Sequence, residues 1–167
     1  MLAAENYNRE LAISYANEWA YSRNPKYMDF HNLGGDCTNF ISQCIFAGCK
    51  IMNYTPVNGW YYLGAENRAP SWTGVPFLYQ FLTANKGPGP YAQNVSVENI
   101  LPGDVIQLGR ANGEYYHTLF IVETSSPPSF GGILVATHSY DANRRPLSTY
   151  RFQKIRFLHI IGARAGK

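Results

Sequence analysis

The chain has 167 residues, 46% of them apolar and 15% charged. That composition suits one domain over residues 1–167, large enough to bury a core without disulfide or metal staples, and excludes a disordered or acidic solvating chain. Fourteen Lys and Arg against eleven Asp and Glu give a charge of +3, with no basic stripe of the kind a nucleic-acid domain carries, and no apolar run approaches the ~18 residues of a membrane-spanning helix.

Met1 to Asn6 has neither the basic nor the apolar region of a secretion leader, so none is expected. Residues 8–22 read as a helix. Leu11, Tyr15 and Trp19 recur every four residues, as do Ala12, Ala16 and Ala20, and Pro25 marks the exit. A second helix over 37–47 carries Cys37, Phe40, Ile41, Cys44 and Ile45 on one stripe, with Asp36 placed to cap it and Gly48 to end it. The aromatic-rich stretch 50–73 has no clear period and reads as a long loop. A third helix is expected over 75–84, and Gly87-Pro88-Gly89-Pro90 then interrupts the chain.

The second half changes character. Val105–Leu108, Tyr115–Glu123, Ile133–Ser139 and Tyr150–Ile161 are β-branched or aromatic runs between turn signals. Helices followed by closely spaced strands imply an α+β fold in which N-terminal helices pack on a small antiparallel sheet. Arg144-Arg145 and the basic C-terminal stretch read as solvated surface.

Gly34-Gly35-Asp36-Cys37 opens the second helix. A thiol there faces the positive end of the helix dipole, which favours the nucleophilic thiolate. Its own N–H has no intrahelical acceptor and is free to serve an oxyanion. Asp36 opposes thiolate formation by its charge. Cys37 is therefore either a nucleophile or a small buried hydrophobe, and the choice depends on a histidine elsewhere. Cys44 and Cys49 read as structural. Three cysteines leave at least one thiol free, and their spacing matches no zinc pair, so neither metal nor cofactor is expected. His117 shares strand parity with Leu119 and Ile121 and is expected on the packed side, within reach of the cysteine helix. His138 ends the next strand and, across a hairpin, could accept His117's second ring N–H, with Asp141 as its rival. His31 reads as exposed and His159 as core.

Asp36-Cys37-Thr38-Asn39-Phe40 resembles the Asp-Cys-Ser-Gly-Phe signature of NlpC/P60 cysteine peptidases. The longer pattern resembles more closely still the putative amidase domain family within that papain-like group. It includes Tyr7-Asn8-Arg9, Arg23 to Tyr27, Phe30, Gly34 to Gln43, Trp60-Tyr61, Ser71-Trp72, Pro102 to Ile106, His117 and His138. The resemblance implies a circularly permuted papain-like fold with Cys37 as nucleophile, His117 as general base and His138 as third polar residue. It also implies a peptide or amide substrate, bacterial cell-wall peptide above all, and a secreted or wall-associated setting. Asp36 and Asn32 are candidates for shaping the oxyanion site. Trp60, Tyr61 and Trp72 are candidates for the substrate cleft, against a loop-covered core as the plainer reading. A monomer is expected. A catalytically silent wall-binding module and an acyl transferase using the same Cys–His pair are the competing readings.

Overall fold

In the computed structural model, residues 3–5 and 7–166 are described, so Met1, Leu2 and Asn6 of the segment read for a leader lie outside the described residues. In chain order, a short strand β1 (Ala3–Glu5) precedes helices α1 (Arg9–Trp19) and α2 (Cys37–Cys49). A small hairpin follows, β2 (Tyr62–Gly64) with β3 (Asn67–Arg68), then helices α3 (Pro70–Thr73) and α4 (Val75–Ala84). Six strands complete the chain: β4 (Gly89–Val95), β5 (Val105–Gly109), β6 (Tyr115–Glu123), β7 (Leu134–Thr137), β8 (Ala142–Pro146) and β9 (Lys154–Ala165). The mixed α+β class agrees with the sequence reading.

The main sheet has seven antiparallel strands, β1-β9-β5-β6-β7-β8 with β4 also on β9. The long β9 carries β4 on one edge, and β5 and then β1 along the other. Strand alternation sorts the apolar side chains into two clusters. Val105, Phe120, Val122, Ala136, Leu158 and Ile160 pack with α1, α2 and α4. Ile106, Leu108, Leu119, Ile121, Val135 and Phe157 pack under Ile100, Ile133 and Leu147. Helices therefore cover one face, and connecting segments cover the other.

Three sequence expectations need correction here. The stretch 50–73, read as a long loop, holds β2, β3 and α3. β4 lies across the stretch taken as a break. Its Pro90 pairs with Ala163 on the outermost edge, where a residue without an N–H is tolerated. Gly48 does not end α2, which closes at Lys50 in a left-handed conformation (φ 59°). A Cβ on Gly48 would come within 2.5 Å of the Tyr7 ring and 2.8 Å of Asn8 O, so glycine is needed there for the close crossing of the chain leading into α1.

In α1 the alanine stripe is the buried one. Ala12, Ala16 and Ala20 are fully buried while Leu11 is half exposed, and small side chains let α1 lie close against α2. Asn8 caps α1 by accepting from Leu11 N–H at 3.0 Å. α2 is buried nearly all round, and each polar side chain on it is satisfied. Thr38 meets Thr118, and Asn39 donates to Met28 O and to Asp36 and accepts from the Trp72 indole. Ser42 joins Trp60 to Trp72 O, and Gln43 accepts from Tyr15. Trp60 and Trp72 are fully buried, 4.6 Å apart between ring centres. They are core and not cleft, because both indole N–H groups are consumed by α2.

Candidate active site

Cys37 is the first residue of α2 and only 7% exposed. What precedes it explains how it is held. Asp36 does not cap the helix with its side chain, contrary to the sequence reading. Its carboxylate instead accepts from Phe30 N–H and from Asn39 Nδ2, and its Oδ2 lies 2.5 Å from His138 Nδ1. The other His138 nitrogen donates to Trp19 O at 2.8 Å, and the ring stacks on Phe40 with centres 4.0 Å apart. Ser139 Oγ accepts from Asp36 N–H at 2.9 Å, and Asp141 pairs with Arg23 through both oxygens. Residues 138–141, linking β7 to β8, thus clamp the start of α2. Ser139 and Tyr140 both have positive φ (60° and 69°). That twist suits a tight hairpin but is uncommon for non-glycine residues, above all for a bulky one.

Cys37 and His117 line one pocket of about 310 Å³, together with Gly34, Gly35, Tyr116, Arg145 and Tyr150. His117 has the parity of Leu119 and Ile121, the face that the helices do not cover. Thr118, on the opposite face, touches α2, with its Oγ1 2.9 Å from Thr38 Oγ1. Cys37 Sγ lies 3.8 Å from Thr38 Oγ1 and is not hydrogen bonded to His117.

The electrostatics work against a resting thiolate. Burial pushes the Cys37 thiol up, and the Asp36 charge adds to that. Neighbouring Thr118 and Thr38 groups oppose the shift without reversing it. Burial, reinforced by the Arg145 charge, lowers His117 to about 4. Both shifts favour a thiol beside a neutral imidazole over the ion pair.

The structure brings Cys37 and His117 to one pocket, and it pairs Asp36 with His138 behind that pocket. His138 does not accept from His117, since both its ring nitrogens are engaged elsewhere. Asp141 is taken by Arg23. Asn32 is exposed and apart from the pocket. Tyr61 packs beside Tyr54 away from Cys37. His31 is exposed, and His159 is half-buried against Asp104 at 2.9 Å. The nearest polar partner of His117 is Thr137, whose Oγ1 lies 3.5 Å from Nε2. The Thr137 hydroxyl also faces His138 O at 2.8 Å and Thr118 O at 3.1 Å. A hydroxyl with one proton that faces two carbonyls donates to one of them. Toward the ring it can only accept, an arrangement that favours the hydrogen on Nε2 and the lone pair on Nδ1.

Sequence reasoning missed Thr137 and Arg145. Alternation along β8 was the available signal for Arg145, since it separates Arg145 from the exposed Arg144. All three cysteines are free. Among the described residues no group of His, Cys, Asp and Glu could hold a metal, and no helix is long and apolar enough to cross a membrane.

Residues 6–161 match the family described as "Putative amidase domain". The chain belongs to that family. The match takes in α1, α2, the hairpin clamp and all but the last residues of β9, so every pocket residue named above falls within the putative amidase domain. The uncharacterized protein YhbB of Bacillus subtilis (strain 168) is 32% identical over 147 residues, covering 85% of this chain and 44% of that protein. The chain therefore spans less than half the length of this relative. No solved structure matches it.

Proposed function

We propose that this putative amidase domain is a cysteine-dependent amide hydrolase of the papain-like, NlpC/P60 type, with Cys37 as nucleophile and His117 as general base. The observation carrying this reading is the meeting of Cys37, at the first position of a buried helix, with His117 in one pocket. Because thiol and imidazole are both neutral at rest, the thiol proton passes to His117 Nδ1 as Sγ attacks the carbonyl carbon. Cys37 N–H, without an intrahelical acceptor, stabilises the oxyanion. The carbon–nitrogen bond breaks as the imidazolium returns its proton to the leaving amine. Water then adds to the thioester, giving a proton to His117, and the carboxylic acid leaves as Cys37 recovers its proton. Thr137 is a positioning residue that keeps Nδ1 free. The NlpC/P60 resemblance favours a bacterial cell-wall peptide as substrate.

The neutral resting pair also favours a second reading, a binding module without turnover. Release of free amine from peptides and cell-wall fragments separates the two. Hydrolysis should vanish in Cys37→Ala and fall about 10²–10⁴-fold in His117→Ala. Wild-type turnover in Cys37→Ala would overturn the cysteine mechanism. Tight binding by wild type with no product would favour the module.

A further inference from the structure

Several arginines pair with carboxylates of the same chain. Arg23 pairs with Asp141, Arg144 with Glu123 and Arg110 with Glu114. Arg145 and Arg151 differ, having no carboxylate within ion-pair distance among the described residues. Arg145 is nevertheless rigidly held. Its Nε and Nη2 donate to Thr149 Oγ1 and O at 2.7 and 3.1 Å, and its guanidinium lies 3.8 Å from the centre of the Tyr150 ring. Nη1 remains without a partner. Tyr150 lines the same pocket, and its hydroxyl is buried beside Arg145. The pocket wall contains no Asp or Glu. A fixed guanidinium with no acidic partner, in a wall without acidic groups, matches a carboxylate.

We propose that the pocket takes an amide carrying a carboxylate next to the scissile bond, held by Arg145, with Arg151 adding charge at the rim. This rests on Cys37 and His117 being the reacting pair. It also gives Arg145 a second effect, because a bound anion offsets the positive charge that discourages protonation of His117. Substrate binding then helps the imidazole accept the thiol proton.

The test is calorimetric titration of the full chain with N-acetyl-alanyl-alanine, as free acid and as C-terminal amide. It is coupled to protection of Cys37 from iodoacetamide, and the titration is repeated in His117→Ala, where binding is read with turnover suppressed. The acid should bind about tenfold more tightly than the amide, as charge-assisted hydrogen bonds allow. It should slow Cys37 alkylation, and its advantage should shrink to about twofold or less in Arg145→Gln. Equal binding of acid and amide by wild type would overturn the proposal whatever the variant does. An acid preference that survives Arg145→Gln, or that leaves Cys37 unprotected, would overturn it too. A preference that behaves as expected in a protein unable to acylate Cys37 would leave the anion site standing and remove the catalytic reading instead.

Discussion

His138 joins two elements distant in sequence, and its removal should be felt as lost stability. His138→Ala deletes the 2.5 Å contact to Asp36, the hydrogen bond to Trp19 O and the stack on Phe40. Asp36, 1% exposed, keeps only its bonds from Phe30 N–H and Asn39 and the more distant Arg23 at 3.7 Å. Breaking a buried pair from one side costs about 3–5 kcal/mol. At roughly 2–4 °C per kcal/mol for a chain of this size, the melting temperature should fall about 6–20 °C. Asp36→Asn should be milder. An asparagine amide can donate to Nδ1 of a neutral imidazole whose Nε2–H still serves Trp19 O. Thermal unfolding of the three proteins, followed by circular dichroism, reads the order directly. A midpoint for His138→Ala within about 2 °C of wild type, or a larger fall for Asp36→Asn, would refute the clamp.

Thr137→Val keeps the shape of the side chain and removes the acceptor of the His117 Nε2 hydrogen. It should lower the rate of Cys37 acylation several-fold while shifting the unfolding midpoint by less than His138→Ala does, and equal loss of stability in both variants would count against a positioning role. His117 holds its proton less tightly in the folded chain, at about 4, than at the ordinary 6.5. Between these values the unfolded chain binds the extra proton, so this contribution to stability is whole above about pH 6.5 and is lost as pH falls toward 4, by at most about 3 kcal/mol. Urea midpoints at pH 7 and 4.5 should therefore draw together in His117→Asn, and an unchanged pH sensitivity would contradict the burial argument. Gly48→Ala drives a Cβ into Tyr7 and should destabilise by about 1–3 kcal/mol, read in the same urea titration.

Much of the fold was legible because the periodicities were clean. The Cys37 stripe and the runs at 105–108 and 115–123 each had one dominant pattern. β4 was hidden by its glycines and prolines, which an edge strand tolerates, and β8 by a charged pair that reads as surface. The site was legible in part. A thiol at a helix start and a histidine on a neighbouring strand are local features, and the structure brings them to one pocket. The third partner was not local. Whether His117 leans on Thr137, His138 or Asp141 depends on which residue of the 137–141 turn faces it, and the turn commits His138 and Asp141 to Asp36 and Arg23. The charge state of Cys37 was also out of reach, because the dipole at a helix terminus is visible in sequence and the depth of its burial is not.

The central claim is that His117 takes the proton from Cys37 during attack. The most direct test is acylation by p-nitrophenyl acetate, with the adduct located by mass spectrometry in wild type and His117→Ala. The expected result is an acetyl group on Cys37 in preference to Cys44 and Cys49, formed far more slowly without His117. Acylation of Cys37 at the same rate in both proteins, or its absence from Cys37 in the wild type, would contradict the account.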